Sequence, residues 1–169
     1  MDVICHRRCP TDDPENTAEA ARDVSDRVDM VEVDLRRCGS GEIVVFHDRT
    51  LDRLTERSAP VAETSLSELQ TATIDDTDAT IPTLEELLVA IPAGIGVNLE
   101  LKEPGMADAV TAAARSTDRA IIVSSFDPHT LEPLREVSTA FLFDPETPED
   151  WERGLETAIQ QSCSFVHPQ

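Results

Sequence analysis

Basic residues are scarce in this 169-residue chain: 14 Lys and Arg stand against 34 Asp and Glu, a formal charge of −20. A nucleic-acid-binding surface needs clustered Lys and Arg to displace counterions from phosphates, so the balance argues against that class, and any anionic substrate must meet a locally basic pocket. Long apolar runs are missing as well. None approaches the ~20 residues of a membrane span, and Met1-Asp2-Val3-Ile4-Cys5-His6 lacks the basic start and apolar stretch of a signal peptide. The expected location is therefore cytoplasmic. The cysteines are few, and Cys5, Cys9, Cys38 and Cys163 show no paired C-x-x-C spacing. A zinc site or disulfide framework is not expected, and reduced, partly buried thiols are. Aromatics make up only 4% of the chain, but 40% of its residues are apolar, enough at this length to bury the core of one domain and to exclude wholesale disorder.

The acidic charge is spread along the chain without an acidic tail, which predicts a salt-adapted surface. Such a surface repels itself at low ionic strength, and molar salt, with a Debye length of about 3 Å, relieves the repulsion. The melting temperature is expected to rise between dilute buffer and molar KCl; a flat or falling value would contradict salt adaptation.

Short apolar runs alternate with helical stretches, the pattern of βα units and a parallel sheet. Strands are predicted over Val3–Cys5, Met30–Leu35, Ile95–Leu101, Ala120–Val123, Ala140–Phe143 and Ser164–His167, with one further extended segment over Gly41–His47. Asn16-x-x-Glu19, Ser65-x-x-Glu68 and Thr83-x-x-Glu86 have the capping-box form, and Asp127-Pro128 and Thr147-Pro148 put proline at a first helical position. Helices are expected from about Thr17, Thr83, Met106, Pro128 and Pro148. The polar stretch from Asp48 to Pro82 is too long for a simple βα loop and predicts an excursion with one short helix over Leu66–Gln70.

Ionisable residues collect near predicted strand ends, the edge where parallel α/β folds bind ligands. His6 and Arg7 end the first strand, Glu32 and Asp34 lie in the second, His47 and Asp48 end the extended segment, and Glu100 and Lys102 lie in the next strand. The i, i+2 spacing of Glu32 and Asp34 puts both on one face, as it does Glu100 and Lys102. Charges on a would-be core face break a local rule, and such breaks usually mark function. The bland alternative sets Glu32 and Asp34 toward solvent on an edge strand. Three converging carboxylates would need a cation, and hard oxygen ligands suit Mg²⁺ or Ca²⁺. Two histidines, with an unperturbed pKa of ~6.5, could exchange protons with attacking and leaving groups. Arg7 and Lys102 would hold an anion such as phosphate. Together these point to phosphodiester cleavage. A His-Asp metal dyad of the phosphohydrolase kind belongs on a helix, whereas Ile43-Val44-Val45-Phe46 is strand-forming. His129 and His167 are expected at the surface.

His6-Arg7, Pro14-Glu15-Asn16-Thr17, Val31-Glu32-Val33-Asp34, the run from Gly41 to Asp48 and Leu51-Asp52-Arg53-Leu54-Thr55 follow one another in order. Ile81-Pro82-Thr83-Leu84-Glu85-Glu86-Leu87, Asn98-Leu99-Glu100-Leu101-Lys102 and Ser124-Ser125-Phe126 continue the series. This ordered set resembles the glycerophosphodiester phosphodiesterase family over essentially the whole chain, as a single domain over residues 1–169. The resemblance implies an α/β fold, a TIM-type (β/α)8 barrel, with a divalent metal, Mg²⁺ or Ca²⁺, at its C-terminal mouth. It implies Glu32, Asp34 and Glu100 as metal ligands, His6 and His47 as acid and base, and Arg7 and Lys102 on the phosphate, with Asp48 and Glu15 orienting their neighbours. The implied reaction is hydrolysis of a small-molecule glycerophosphodiester to glycerol 3-phosphate and an alcohol.

Two departures from the family pattern stand out. Arg8 follows the His-Arg pair where the family usually has Gly. The barrel also reads as truncated after about six strands, where the complete fold takes ~250 residues. Open strand edges predict one of two outcomes in place of a fully active monomer: a gene that continues for roughly two more βα units, or a homodimer whose copies cover each other's edges. A non-catalytic remnant or phosphodiester-binding protein of the same fold is the competing expectation; retention of every expected ionisable position favours the enzyme.

Overall fold

The computed structural model describes residues 3–7, 13–24 and 28–169, so the expectations for Arg8 and Cys9 lie outside the described residues. The chain divides into two compact units, Met1–Val97 and Asn98–Gln169.

In the first unit, β1 (Ile4–His6) runs parallel to β2 (Met30–Arg37), with His6 opposite Glu32. β2 is buried on both faces until its last residue, which decides against the solvent-facing edge strand. A tight turn, in which Gly41 takes a φ of +103° that favours glycine, reverses the chain into β3 (Ile43–Val45), antiparallel to β2 with Leu35 opposite Val45. α1 (Ala18–Arg22) connects β1 to β2 and is capped by the Thr17 hydroxyl rather than by Asn16.

The excursion after β3 carries a 3-10 turn (Val61–Glu63) and α2 (Leu66–Leu69), held by isolated bridges such as Thr50 to Pro60 and Thr55 to Ile74. Phe46, Leu51, Leu69, Ile74 and Ile81 bury themselves completely in a cluster with Val44 of β3, which fixes the excursion to the hairpin. Gly39 makes that docking possible. Its N–H donates to the Thr64 carbonyl at 2.8 Å, and a β-carbon at Gly39 would lie 2.8 Å from the Glu63 carbonyl carbon. Backbone cannot swing aside as a side chain can, so Gly39→Ala is expected to destabilise the protein by about 1–3 kcal/mol, measured by denaturant unfolding. The unit continues through α3 (Leu84–Ala90), which opens with the expected Thr83–Glu86 capping box.

In the second unit β4 (Gly96–Leu101), β5 (Ile121–Ser125), β6 (Ser138–Phe143) and β7 (Phe165–Pro168) are neighbours in that order, and β5–β6 and β6–β7 are parallel. Between them lie α4 (Ala107–Arg115), α5 (Pro128–Leu131) and α6 (Pro148–Gln160). Proline stands at the start of α5 and α6 as expected, and Thr147 and Asp150 add a capping box to α6. Phe143 packs against α6, its ring edge-on to Trp151 at 5.5 Å.

Cys38 and Cys163 are free, as expected, but Cys5 is disulfide-bonded, which corrects the expectation of reduced thiols at that position. Among the described residues no helix is long and apolar enough to cross a membrane.

Candidate active site

Glu32, Asp34 and Arg36 leave one face of β2 at i, i+2, i+4 spacing. Glu32 is 5% exposed and Asp34 fully buried. Buried carboxylates cost several kcal/mol unless partnered, so their surroundings carry information. Arg7 places its Nε 3.0 Å from Asp34 Oδ2, and its backbone N–H donates to Glu32 Oε2 at 3.1 Å. Arg7 reaches this position with φ +53°, a left-handed conformation uncommon outside glycine. His6 Nε2 lies 3.6 Å from Glu32 Oε2, while more than half of the His6 side chain stays exposed.

Asn16, which the sequence pattern places at a helix cap, lies instead against Asp34. Its side-chain amide donates to Asp34 Oδ2 at 2.9 Å and its side-chain oxygen accepts from the Asp34 backbone N–H at 3.2 Å. Asn16 sits at φ +59°, which asparagine tolerates better than most residues. The Pro-Glu-Asn sequence and the left-handed preference of Asn were the available signals. Arg36 was missed altogether: its Nε donates to the His47 carbonyl at 2.8 Å and so anchors the backbone of the second histidine.

His47 follows β3 outside any helix, against the helical metal-dyad alternative. Its Nδ1 lies 2.6 Å from Asp48 Oδ1. Arg53 Nε donates to the other Asp48 oxygen, and Arg53 Nη2 donates to Glu15 Oε1 at 2.6 Å. Burial raises the Asp48 pKa, but hydrogen bonds from Arg53 and His47 outweigh it and hold the carboxyl below its usual range.

In the second unit, Glu100 is 4% exposed and forms an ion pair with Lys102, two residues on and on the same face. Ser125 Oγ donates to the Leu101 carbonyl at 2.9 Å and ties β5 to the end of β4. His129 is exposed as expected. His167 is half-buried on β7 rather than at the surface, and burial lowers its pKa. Among the described residues, groups able to hold a hard cation are the buried carboxylates of Glu32 and Asp34 in the first unit and of Glu100 in the second.

A chain with these elements and these ionisable positions belongs to the glycerophosphoryl diester phosphodiesterase family, whose sequence model matches residues 6–165. Among solved structures it is similar to a glycerophosphodiester phosphodiesterase of Thermotoga maritima, with 28% identity and a TM-score of 0.83, over 99% of this chain and 74% of that one. It is also similar to a phosphodiesterase of Oleispira antarctica solved with its product sn-glycerol-3-phosphate, with 26% identity and a TM-score of 0.82, over 99% and 74% of the two chains. These likenesses show the expected TIM-type barrel fold. The protein YqiK of Bacillus subtilis is 29% identical over 144 residues, 76% of this chain. The chain spans 59% of YqiK's length.

Proposed function

We propose that the protein hydrolyses glycerophosphodiesters to glycerol 3-phosphate and an alcohol with a divalent cation, Mg²⁺ or Ca²⁺, held by Glu32, Asp34 and Glu100. The observation that supports this reading most is the environment of Asp34. A fully buried carboxylate on a core strand is paired with Arg7 and accepts from the Asn16 amide nitrogen, while the Asn16 oxygen holds the Asp34 backbone N–H; a second buried carboxylate, which His6 approaches, lies two residues away. Such a preorganised set of charges has no use in a core. The product found with the Oleispira antarctica relative supports the same substrate class.

The donor set fits the cation, because three carboxylates supply hard oxygen ligands and are too acidic a group to be balanced by Arg7 and Lys102 alone. Glu32, Asp34 and Glu100 would hold the ion, which would supply Lewis-acid stabilisation of negative charge on the phosphoryl group. The remaining work falls to the chain's own residues. Arg7 and Lys102 orient the phosphate, as guanidinium and ammonium groups do. His6 and His47 exchange protons with the attacking and leaving oxygens, one accepting and one donating. Release of choline from glycerophosphocholine, measured with and without added Mg²⁺ or Ca²⁺, tests the proposal. Cation-dependent release is expected; no release with either ion would overturn it.

A further inference from the structure

We propose that Arg53 is a positioning residue which, by bridging Glu15 and Asp48, fixes the His47 imidazole in one orientation and one tautomer. The inference rests on the reading of His47 as an acid–base group and extends it to the residues that prepare that group.

His47 and Asp48 are adjacent in sequence, and their side chains are 30% and 23% exposed. Side chains that are only partly buried keep some rotational freedom, so a second contact is needed to fix the pair in one geometry. Arg53 supplies the hold. Its planar fork engages one oxygen of Asp48 through Nε and one oxygen of Glu15 through Nη2, so Asp48 has both oxygens committed, one to Arg53 and one to His47. Glu15 lies 38 residues before Arg53, in the segment leading into α1. The bridge thus joins the segment before α1, which carries Asn16, to the segment after β3, which carries His47.

The charge state follows from the same contacts. The hydrogen bond from Arg53 to Glu15, with the one to Asp48, raises the guanidinium pKa despite partial burial, so Arg53 stays charged. Asp48, held below the usual carboxylate range, is an acceptor only at neutral pH. The proton of the neutral imidazole then belongs on Nδ1, facing Asp48, and the lone pair of Nε2 is free to take a proton. Among the described residues, charged groups that bear on His47 include Asp48 at its ring, Arg36 at its main-chain carbonyl, and Arg53 and Glu15 behind Asp48.

Arg53 is itself about half exposed, so its ion pairs with the partly buried Asp48 and Glu15 are screened by solvent and contribute little to stability. Its effect should therefore fall on turnover and on the imidazole rather than on folding. Outer partners that orient metal-ligating histidines typically carry about 10- to 100-fold in activity, and a comparable effect is expected for a group that orients a proton-transferring histidine. In Arg53→Gln, kcat is expected to fall by about that factor with KM little changed and the melting temperature close to wild type. Arg53→Lys, which keeps the charge but cannot reach both carboxylates in a fork, should recover part of the loss. Nitrogen-15 NMR of the imidazoles, with the His47 signal assigned by its disappearance in His47→Asn, should show an Nδ1-protonated ring in the wild type and a mixture of tautomers in Arg53→Gln. Unchanged kcat or an unchanged His47 tautomer in Arg53→Gln would overturn the inference. If that variant fails to fold, Glu15→Gln, which weakens the bridge from its other end, should give the same tautomer shift, and its absence would equally overturn the inference. The NMR readout needs no substrate. A protein without phosphodiesterase activity whose His47 tautomer depends on Arg53 would refute the proposed reaction and leave the bridge standing.

Discussion

Removal of divalent cation is expected to abolish turnover, and Glu100→Gln is expected to reproduce about 10²- to 10³-fold of that loss, the several kcal/mol of charge stabilisation an ion supplies at a phosphoryl oxygen. Glutamine keeps the size of the side chain and can still accept a hydrogen bond, so the buried end of β4 has no cavity to collapse into. What changes is charge: the proposed ligand set drops from three carboxylates to two, and the ion pair between residue 100 and Lys102 is lost. Cation affinity, measured by isothermal titration with Mg²⁺ and Ca²⁺, should fall together with activity while the circular dichroism spectrum is retained. Undiminished turnover after exhaustive EDTA treatment, or wild-type affinity in Glu100→Gln, would contradict the assignment.

His6→Ala and His47→Ala are each expected to lower kcat by about 10²- to 10⁴-fold, the usual value of a positioned acid or base. The two sites predict different accompaniments. His6 is more than half exposed beside Glu32, so its loss should leave stability nearly unchanged. His47 is held by Asp48, and its removal leaves that carboxylate with Arg53 but without the ring, a modest cost for a partly exposed group. The wild-type pH–rate profile should be bell-shaped, with one limb altered in each variant. Near wild-type rates in either variant would make that histidine structural.

Much of this arrangement was legible in the residues themselves. Val31-Glu32-Val33-Asp34-Leu35 announced a strand with charge where a core strand should have none, and β2 proves buried on both faces. Capping boxes at Ser65 and Thr83 and prolines at 128 and 148 marked helix starts correctly, because capping depends on residues within one turn. Asn16 shows where local reading fails. Asn16-x-x-Glu19 has the form of a cap, yet Thr17 caps α1 and Asn16 turns its amide to Asp34, 18 residues away. No local pattern encodes a contact of that span. Arg36 and Arg53 were hidden for the same reason, since each acts through a partner at a sequence distance of 11 or 38 residues. Strand limits moved by a residue or two, β1 to Ile4–His6 and β6 to an earlier start at Ser138, because ladder pairing rather than composition decides where a strand ends.

Phosphorus-31 NMR of glycerophosphocholine incubated with the protein tests the central claim most directly, because it distinguishes diester from monoester without a coupled enzyme. With Mg²⁺ or Ca²⁺ present, the diester resonance should give way to that of glycerol 3-phosphate, and EDTA should stop the conversion. A diester signal that persists with either ion, or a conversion indifferent to EDTA, would contradict the account.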